Sequence, residues 1–190
     1  MKKYILLLLI ISSSSILFSQ NTNSQNKSQV DSTLFWLNLG IGPSTNGFAS
    51  MVGFTLVTNK RQVFELLFTQ NKQIGLFTSN PEYFRSIDFL YGHSYRIAKK
   101  GLFSMSTGLS WFGNMSHGEV IGSSGGILGT STYKEITENG IGVPIHLHLF
   151  RTGFKFIAIG IDAASNINLI KTNFSLTVVL KLGDFDLQKK

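Results

Sequence analysis

The sequence predicts an all-β domain of eight antiparallel strands running up and down and closing into a barrel. Three observations lead there. Apolar residues recur at every second position through most of residues 34–182. The connections between these segments alternate in length. The opposite face is made largely of Gly, Ser, Ala and Thr, with isolated ionisable residues. I-to-i+3/i+4 patterning is absent from this region, so no helix is expected there.

Taken in order, "LFWLNLGIG" sets Phe35, Leu37, Leu39 and Ile41 against Trp36, Asn38, Gly40 and Gly42. "FASMVGFTLV" sets Phe48, Val52, Phe54 and Leu56 against Ala49, Gly53 and Thr55. "VFELLFT" sets Phe64, Leu66 and Phe68 against Glu65 and Thr69. "SIDFLYGHSYRI" sets Ile87, Phe89, Tyr91, Tyr95 and Ile97 against Ser86, Asp88, Gly92, Ser94 and Arg96. "FSMSTGLSW" opposes Phe103, Met105, Leu109 and Trp111 to Ser104, Ser106, Gly108 and Ser110. "IGVPIHLHL" opposes Ile141, Val143, Ile145, Leu147 and Leu149 to Gly142, Pro144, His146 and His148. "FIAIGIDA" opposes Ile157, Ile159 and Ile161 to Ala158, Gly160 and Asp162, and "NFSLTVVLKL" opposes Phe174, Leu176, Val178, Leu180 and Leu182 to Ser175, Thr177 and Lys181.

Residues 59–62, 98–101 and 151–153 read as tight turns, and 43–47, 71–82, 113–139 and 164–172 as the other connections, three of them long. In a meander every second connection falls at the same end. Short turns at one end and long loops at the other are the layout of an outer-membrane barrel.

Which face is inside is decided by composition. The outer wall of a soluble sandwich or lipocalin-like barrel should be rich in Lys, Glu and Thr. Here the non-apolar face is small, which suits the narrow interior of an eight-stranded barrel. The bulky Ile, Leu, Val and Phe face is then outward. Phe48, Phe64, Tyr95, Trp111 and Phe174 fall where an interfacial girdle is wanted. Only 14% of the chain is charged, against about 25% in an average soluble domain. The expected fold is therefore an eight-stranded antiparallel up-and-down transmembrane β-barrel. Closure leaves no sheet edge exposed to lipid.

Residues 1–19 read as a signal peptide. Lys2 and Lys3 precede an apolar run too short to span a bilayer, and Ser19 is the small residue at the cleavage position. Residues 20–32 read as a flexible polar segment and 33–187 as the barrel domain. The chain has no cysteine, which excludes disulfides, thiolate metal sites and a lipidated N-terminal cysteine. Its net charge of +7 is scattered, and export removes a nucleic-acid partner.

The stretches "GIGVPIHLHL", "FIAIGIDAASNINL" and "FSLTVVLKLGDF" resemble the C-terminal half of the small eight-stranded outer-membrane β-barrel proteins of Gram-negative bacteria, the porin-like outer-membrane barrel domains. The resemblance implies an outer-membrane location, lipid contact and no cofactor. One departure is that Phe185 is followed by "DLQKK", where such barrels often end on an aromatic residue.

Glu65, Asp88, Arg96, His146, His148, Asp162 and Lys181 all fall on the inward face and are expected to form a polar network in the lumen, with Arg96 pairing with Glu65 or Asp88. His146 and His148 could contribute to a Zn²⁺ or Cu²⁺ site with a third ligand from Asp88, Asp162 or Glu65. No ligand motif beyond His-x-His accompanies them, so hydrogen-bonded lumen filling is the favoured reading. Some outer-membrane barrels are enzymes that set His, Ser and a carboxylate on the lipid-facing wall. Here His93 faces out while its neighbour Ser94 faces in, so base and nucleophile do not meet and no enzyme is expected. Basic residues in the tight turns (Lys60, Arg61, Lys99, Lys100, Arg151) are placed to meet lipid head groups or solvent. Residues 113–139, rich in Gly and Ser, are the place for a surface ligand; a mobile loop without a partner, or further β-structure extending the barrel outward, explains them equally well. The rival functions are a narrow passive channel and a secreted soluble barrel for a small apolar ligand.

Overall fold

In the computed structural model the described residues are 33–58, 60–73, 81–98, 100–123, 131–154, 156–183 and 185. The expected export segment 1–19, the polar segment 20–32 and the tail 186–190 lie outside them. Eight strands follow one another: β1 (Leu34–Ser44), β2 (Gly47–Val57), β3 (Gln62–Lys72), β4 (Tyr83–Ala98), β5 (Gly101–Ser123), β6 (Ser131–Phe154), β7 (Ile157–Ile167) and β8 (Asn173–Gly183). Each pairs antiparallel with its sequence neighbours, and β8 returns to β1, so the sheet is a closed barrel in up-and-down order. All eight period-two segments are strands.

The inside-out partition is decisive. Leu147, Ile159 and Val178 are 40%, 61% and 59% exposed on the outer wall, whereas His148 and Lys181 are 0% and 1% exposed. Phe48, Phe64, Tyr95, Trp111 and Phe174 are all exposed. Phe48 and Phe174 lie at one rim and Phe64 and Tyr95 at the other. Trp111 lies well inside its strand, because β5 continues to Ser123.

Small residues let so few strands close. A Cβ at Gly108 would run into the Phe89 carbonyl oxygen, and one at Gly92 into that of Met105. The β1–β2 connection is only two residues long, and Gly47, at φ 115°, supplies the left-handed backbone it needs. Pro144 has no N–H to give. The β5–β6 ladder passes from Thr107↔Ile145 to Ser110↔Gly142, and the Thr107 hydroxyl donates to the Pro144 carbonyl at 2.9 Å.

The expected loop at 113–139 is corrected. Most of it is strand: β5 and β6 stay paired up to Ser123↔Ser131, and only residues 124–130 lie outside the description. β4 begins opposite Met115 and β7 ends opposite Val143, so this hairpin runs on alone past its neighbours. Its Val120, Ile121 and Ile136 are exposed.

The lumen is filled in layers. At the short-turn end Trp36, Val57, Val63, Leu102, Phe150, Ala158 and Phe185 form a buried apolar cap. Trp36 stacks on Phe185 at 5.1 Å and meets Phe150 edge-on at 5.5 Å. Met51, Leu67, Leu90 and Val179 form a second apolar cluster. At the opposite end Phe84 stacks on Phe112 at 5.2 Å. The polar network lies among them.

Candidate functional site

Every strand contributes to the buried network, because the period-two face of each one turns inward. From β8, the Lys181 ammonium donates to Asn38 Oδ1 on β1 at 2.8 Å. It also lies 4.8 Å from the Phe150 ring centroid and 5.5 Å from that of Trp36, which stabilises a cation with few water contacts. Asn38 Nδ2 donates to Thr55 on β2 at 2.7 Å, and Thr55 donates in turn to Glu65 Oε1 on β3 at 2.9 Å. Ser106 on β5 donates to Glu65 Oε2 at 2.5 Å. His148 Nε2 on β6 lies 3.3 Å from the same carboxylate.

Asp162 on β7 stands between the two imidazoles. Its Oδ2 is 3.0 Å from His146 Nδ1 and its Oδ1 is 3.3 Å from His148 Nδ1. The two rings stack with centroids 5.6 Å apart. This follows from register: His148 pairs directly with Asp162, and His146 is two residues along the same face. On β4, Asp88 Oδ2 accepts from Ser86 at 3.0 Å and faces His146 Nε2 at 3.9 Å. Asn166 donates to Ser110 at 2.7 Å further toward the extension end.

The structure brings Glu65, Asp88, His146, His148, Asp162 and Lys181 into one buried cluster. It does not bring Arg96, which is exposed. The reason is register. Gln62 at the start of β3 pairs with His93, so Arg96 projects three residues beyond β3. Glu65 pairs with Leu90, six residues from Arg96, or roughly 20 Å along the strand, beyond the reach of one side chain. Arg96 has inward parity, but it lies past the end of β3, where β4 pairs only with β5 (Arg96↔Leu102). Asn38, Thr55, Ser106 and Trp36 are members of the site that reasoning from charge alone passes over. Their signal is only that they share the face with Lys181 and Glu65. Among the described residues, His146, His148 and Asp162 offer ligand atoms within 4.8 Å of one another, the arrangement that could hold a metal ion.

His93 is half-buried on the outer wall, edge-on to Tyr91, while Ser94 faces the interior, so the His–Ser separation expected from parity holds. His117 lies in the β5 extension and stacks on Tyr133 at 4.3 Å.

A second cluster braces the extension. Glu82 accepts from the His117 N–H at 3.1 Å and from the Lys171 ammonium at 3.3 Å, which ties the β3–β4 and β7–β8 connections to the β5 extension. Burial pushes the Glu82 carboxyl up, but the His117 N–H and Lys171 outweigh it and hold the group below its usual value of 4.5. A depressed folded value makes this clasp stabilising above pH 4.5, and the contribution is lost as pH falls through the folded value. Amide protection at His117 and Lys171 should therefore decline below about pH 4.5, by less than about 1 kcal/mol because the pair is partly solvated. In Glu82→Gln that decline should vanish, which hydrogen exchange across a pH series measures.

With the geometry in place, the fold defines a class. The chain has the fold of the small eight-stranded outer-membrane β-barrel proteins. Neisserial surface protein A (NspA) superposes with a TM-score of 0.53 at 12% identity, covering 79% of this chain and 94% of that one. Ail, the attachment invasion locus protein of Yersinia pestis, solved in complex with the heparin analogue sucrose octasulfate, gives 0.51 at 10% identity, covering 82% and 99%. The N-terminal β-barrel domain of Pseudomonas aeruginosa OprF gives 0.50 at 9% identity, covering 80% and 98%. At such identities the likeness is one of fold. No family model and no curated protein matches the sequence.

Proposed function

We propose that this chain is an integral protein of the outer membrane, non-catalytic, with a filled lumen and an envelope-structural or surface-contact role. The observation that carries the reading is the partition of side chains: a continuous exposed belt of Phe, Ile, Leu and Val around a core of paired polar groups. Such a belt is unstable in water and stable in acyl chains. Short turns then lie on the periplasmic side, and Lys100 and Arg151 rim an apolar groove on the outer wall with Leu149, Ile159, Ile161 and Val178. That combination suits lipid with an anionic head group. The β5–β6 extension stands outside the membrane on the opposite side, held by Glu82, and is the part available to a surface ligand.

The filled lumen favours a structural or contact role over a passive channel. The apolar clusters and the polar network fill the interior that a soluble barrel would offer its ligand. Two measurements on the refolded protein test this. Electrophoresis with and without boiling should show a heat-dependent mobility shift, and planar bilayers should show no steady current. Large, stable open-channel currents would overturn the filled lumen, and absence of both the shift and liposome insertion would overturn the membrane assignment.

A further inference from the structure

The geometry points to a divalent transition-metal site inside the barrel, formed by His146, His148 and Asp162 and suited to a Zn²⁺-like ion. Three features carry it. The first is the donor set. The Nδ1 atoms of both imidazoles converge on one carboxylate, at 3.0 Å and 3.3 Å, and all three residues are buried. Two nitrogens and an oxygen suit Zn²⁺, whereas Mg²⁺ and Ca²⁺ prefer all-oxygen shells. Ligand atoms of a tetrahedral Zn²⁺ lie about 3.4 Å apart, so a spread of up to 4.8 Å closes with side-chain rotations of order 1 Å.

The second is the opposite edge of each ring. His148 Nε2 faces Glu65 and His146 Nε2 faces Asp88, at 3.3 Å and 3.9 Å. Each carboxylate is itself held by hydroxyls: Glu65 by Thr55 and Ser106, Asp88 by Ser86. A carboxylate on the far nitrogen, fixed in turn by hydrogen bonds, is how metal-binding histidines are oriented. A pair of histidines that merely filled space would not need both far edges matched.

The third is an orphaned pair. His148 Nδ1 and Asp162 Oδ1 face each other at 3.3 Å, yet neither makes a hydrogen bond among the described residues. Buried polar atoms are ordinarily satisfied, and both of these point to the same spot. Formal charge agrees. Three buried carboxylates face one buried ammonium, and a divalent cation held by neutral imidazoles balances the excess. A small cavity, room for about one water, lined by Thr69, Phe84, Ser86, Asp88, His146 and Asn166 among others, adjoins the site on the extension side.

The test refolds the full chain in detergent with Zn²⁺ or Co²⁺, removes loose ion by gel filtration, and measures metal per chain and the ligand-field absorption of Co²⁺. Folding is followed separately by the heat-dependent mobility shift. One ion per chain with a low-symmetry, few-coordinate Co²⁺ spectrum is expected. His117→Ala, at the His117–Glu82 contact outside the lumen, should leave both readouts unchanged. Asp88→Asn keeps all three ligands and should weaken binding 10- to 100-fold, as loss of an orienting carboxylate does. Metal retained in a folded His146→Gln/His148→Gln variant would overturn the site. So would wild-type chain that folds in the presence of Zn²⁺ and carries no stoichiometric ion.

Discussion

Replacing Lys181 by methionine should lower the unfolding free energy by about 3–5 kcal/mol, the usual consequence of removing one member of a buried ion cluster. Methionine keeps much of the volume, so the loss isolates the charge. Lys181 is 1% exposed, donates to Asn38 and acts on both Glu65 and Asp162 across the lumen. Without it the carboxylates keep their burial and lose their compensating cation. Asn38 Oδ1 also loses its donor, an unsatisfied acceptor costing a further 1–3 kcal/mol or so if water cannot reach it. Urea unfolding in liposomes, followed by tryptophan fluorescence, measures the change. A loss below about 1 kcal/mol would mean that the lumen is hydrated enough to screen its charges. The double variant Lys181→Met/Glu65→Gln should recover part of the loss, because the two residues belong to one network.

Trp36→Ala should cost a similar amount, about 3–5 kcal/mol, by a different route. The indole is 2% exposed and is the hub of the cap: it stacks on Phe185, meets Phe150 edge-on, and offers its face to Lys181. Removing it leaves a cavity at the short-turn end that the barrel wall cannot collapse to fill. Steady current should still be absent in planar bilayers, since the network above the cap spans all eight strands. Phe185→Ala removes the other half of the stack and should be destabilising in the same direction.

The eight strands are legible because a one-residue slip would turn every Ile and Phe of the outer wall inward, so the period-two signal is strong wherever one face must be greasy. Lys181, Glu65 and the two histidines are legible for the same reason: parity alone assigns them inward. Parity says nothing about height along the axis, and that is where Arg96 goes astray. Its face is inward, but β4 overruns β3 and leaves it exposed at the turn end, paired only with β5. The β5–β6 extension stays undecided between loop and strand in the sequence for another reason. Outside a bilayer neither face must be apolar, so residues 116–123 and 131–140 carry no alternation to read, and their Gly and Ser content resembles a loop. The inward turn of Phe185 is also hidden. It lies past Gly183, and only the three-dimensional neighbourhood of Trp36 and Phe150 shows why an aromatic there is not at the lipid-facing end of β8.

The chain contains two tryptophans, one on each side of the wall: Trp111 is 66% exposed and Trp36 is 2% exposed. Single-tryptophan variants, Trp36→Phe and Trp111→Phe, refolded into liposomes with brominated acyl chains, therefore report the orientation of the wall directly. The fluorescence of Trp111 should be strongly quenched by bromine, and that of Trp36 should be nearly unaffected. Equal quenching of both, or quenching of Trp36 alone, would contradict a barrel whose apolar face meets lipid and whose polar face meets its own axis.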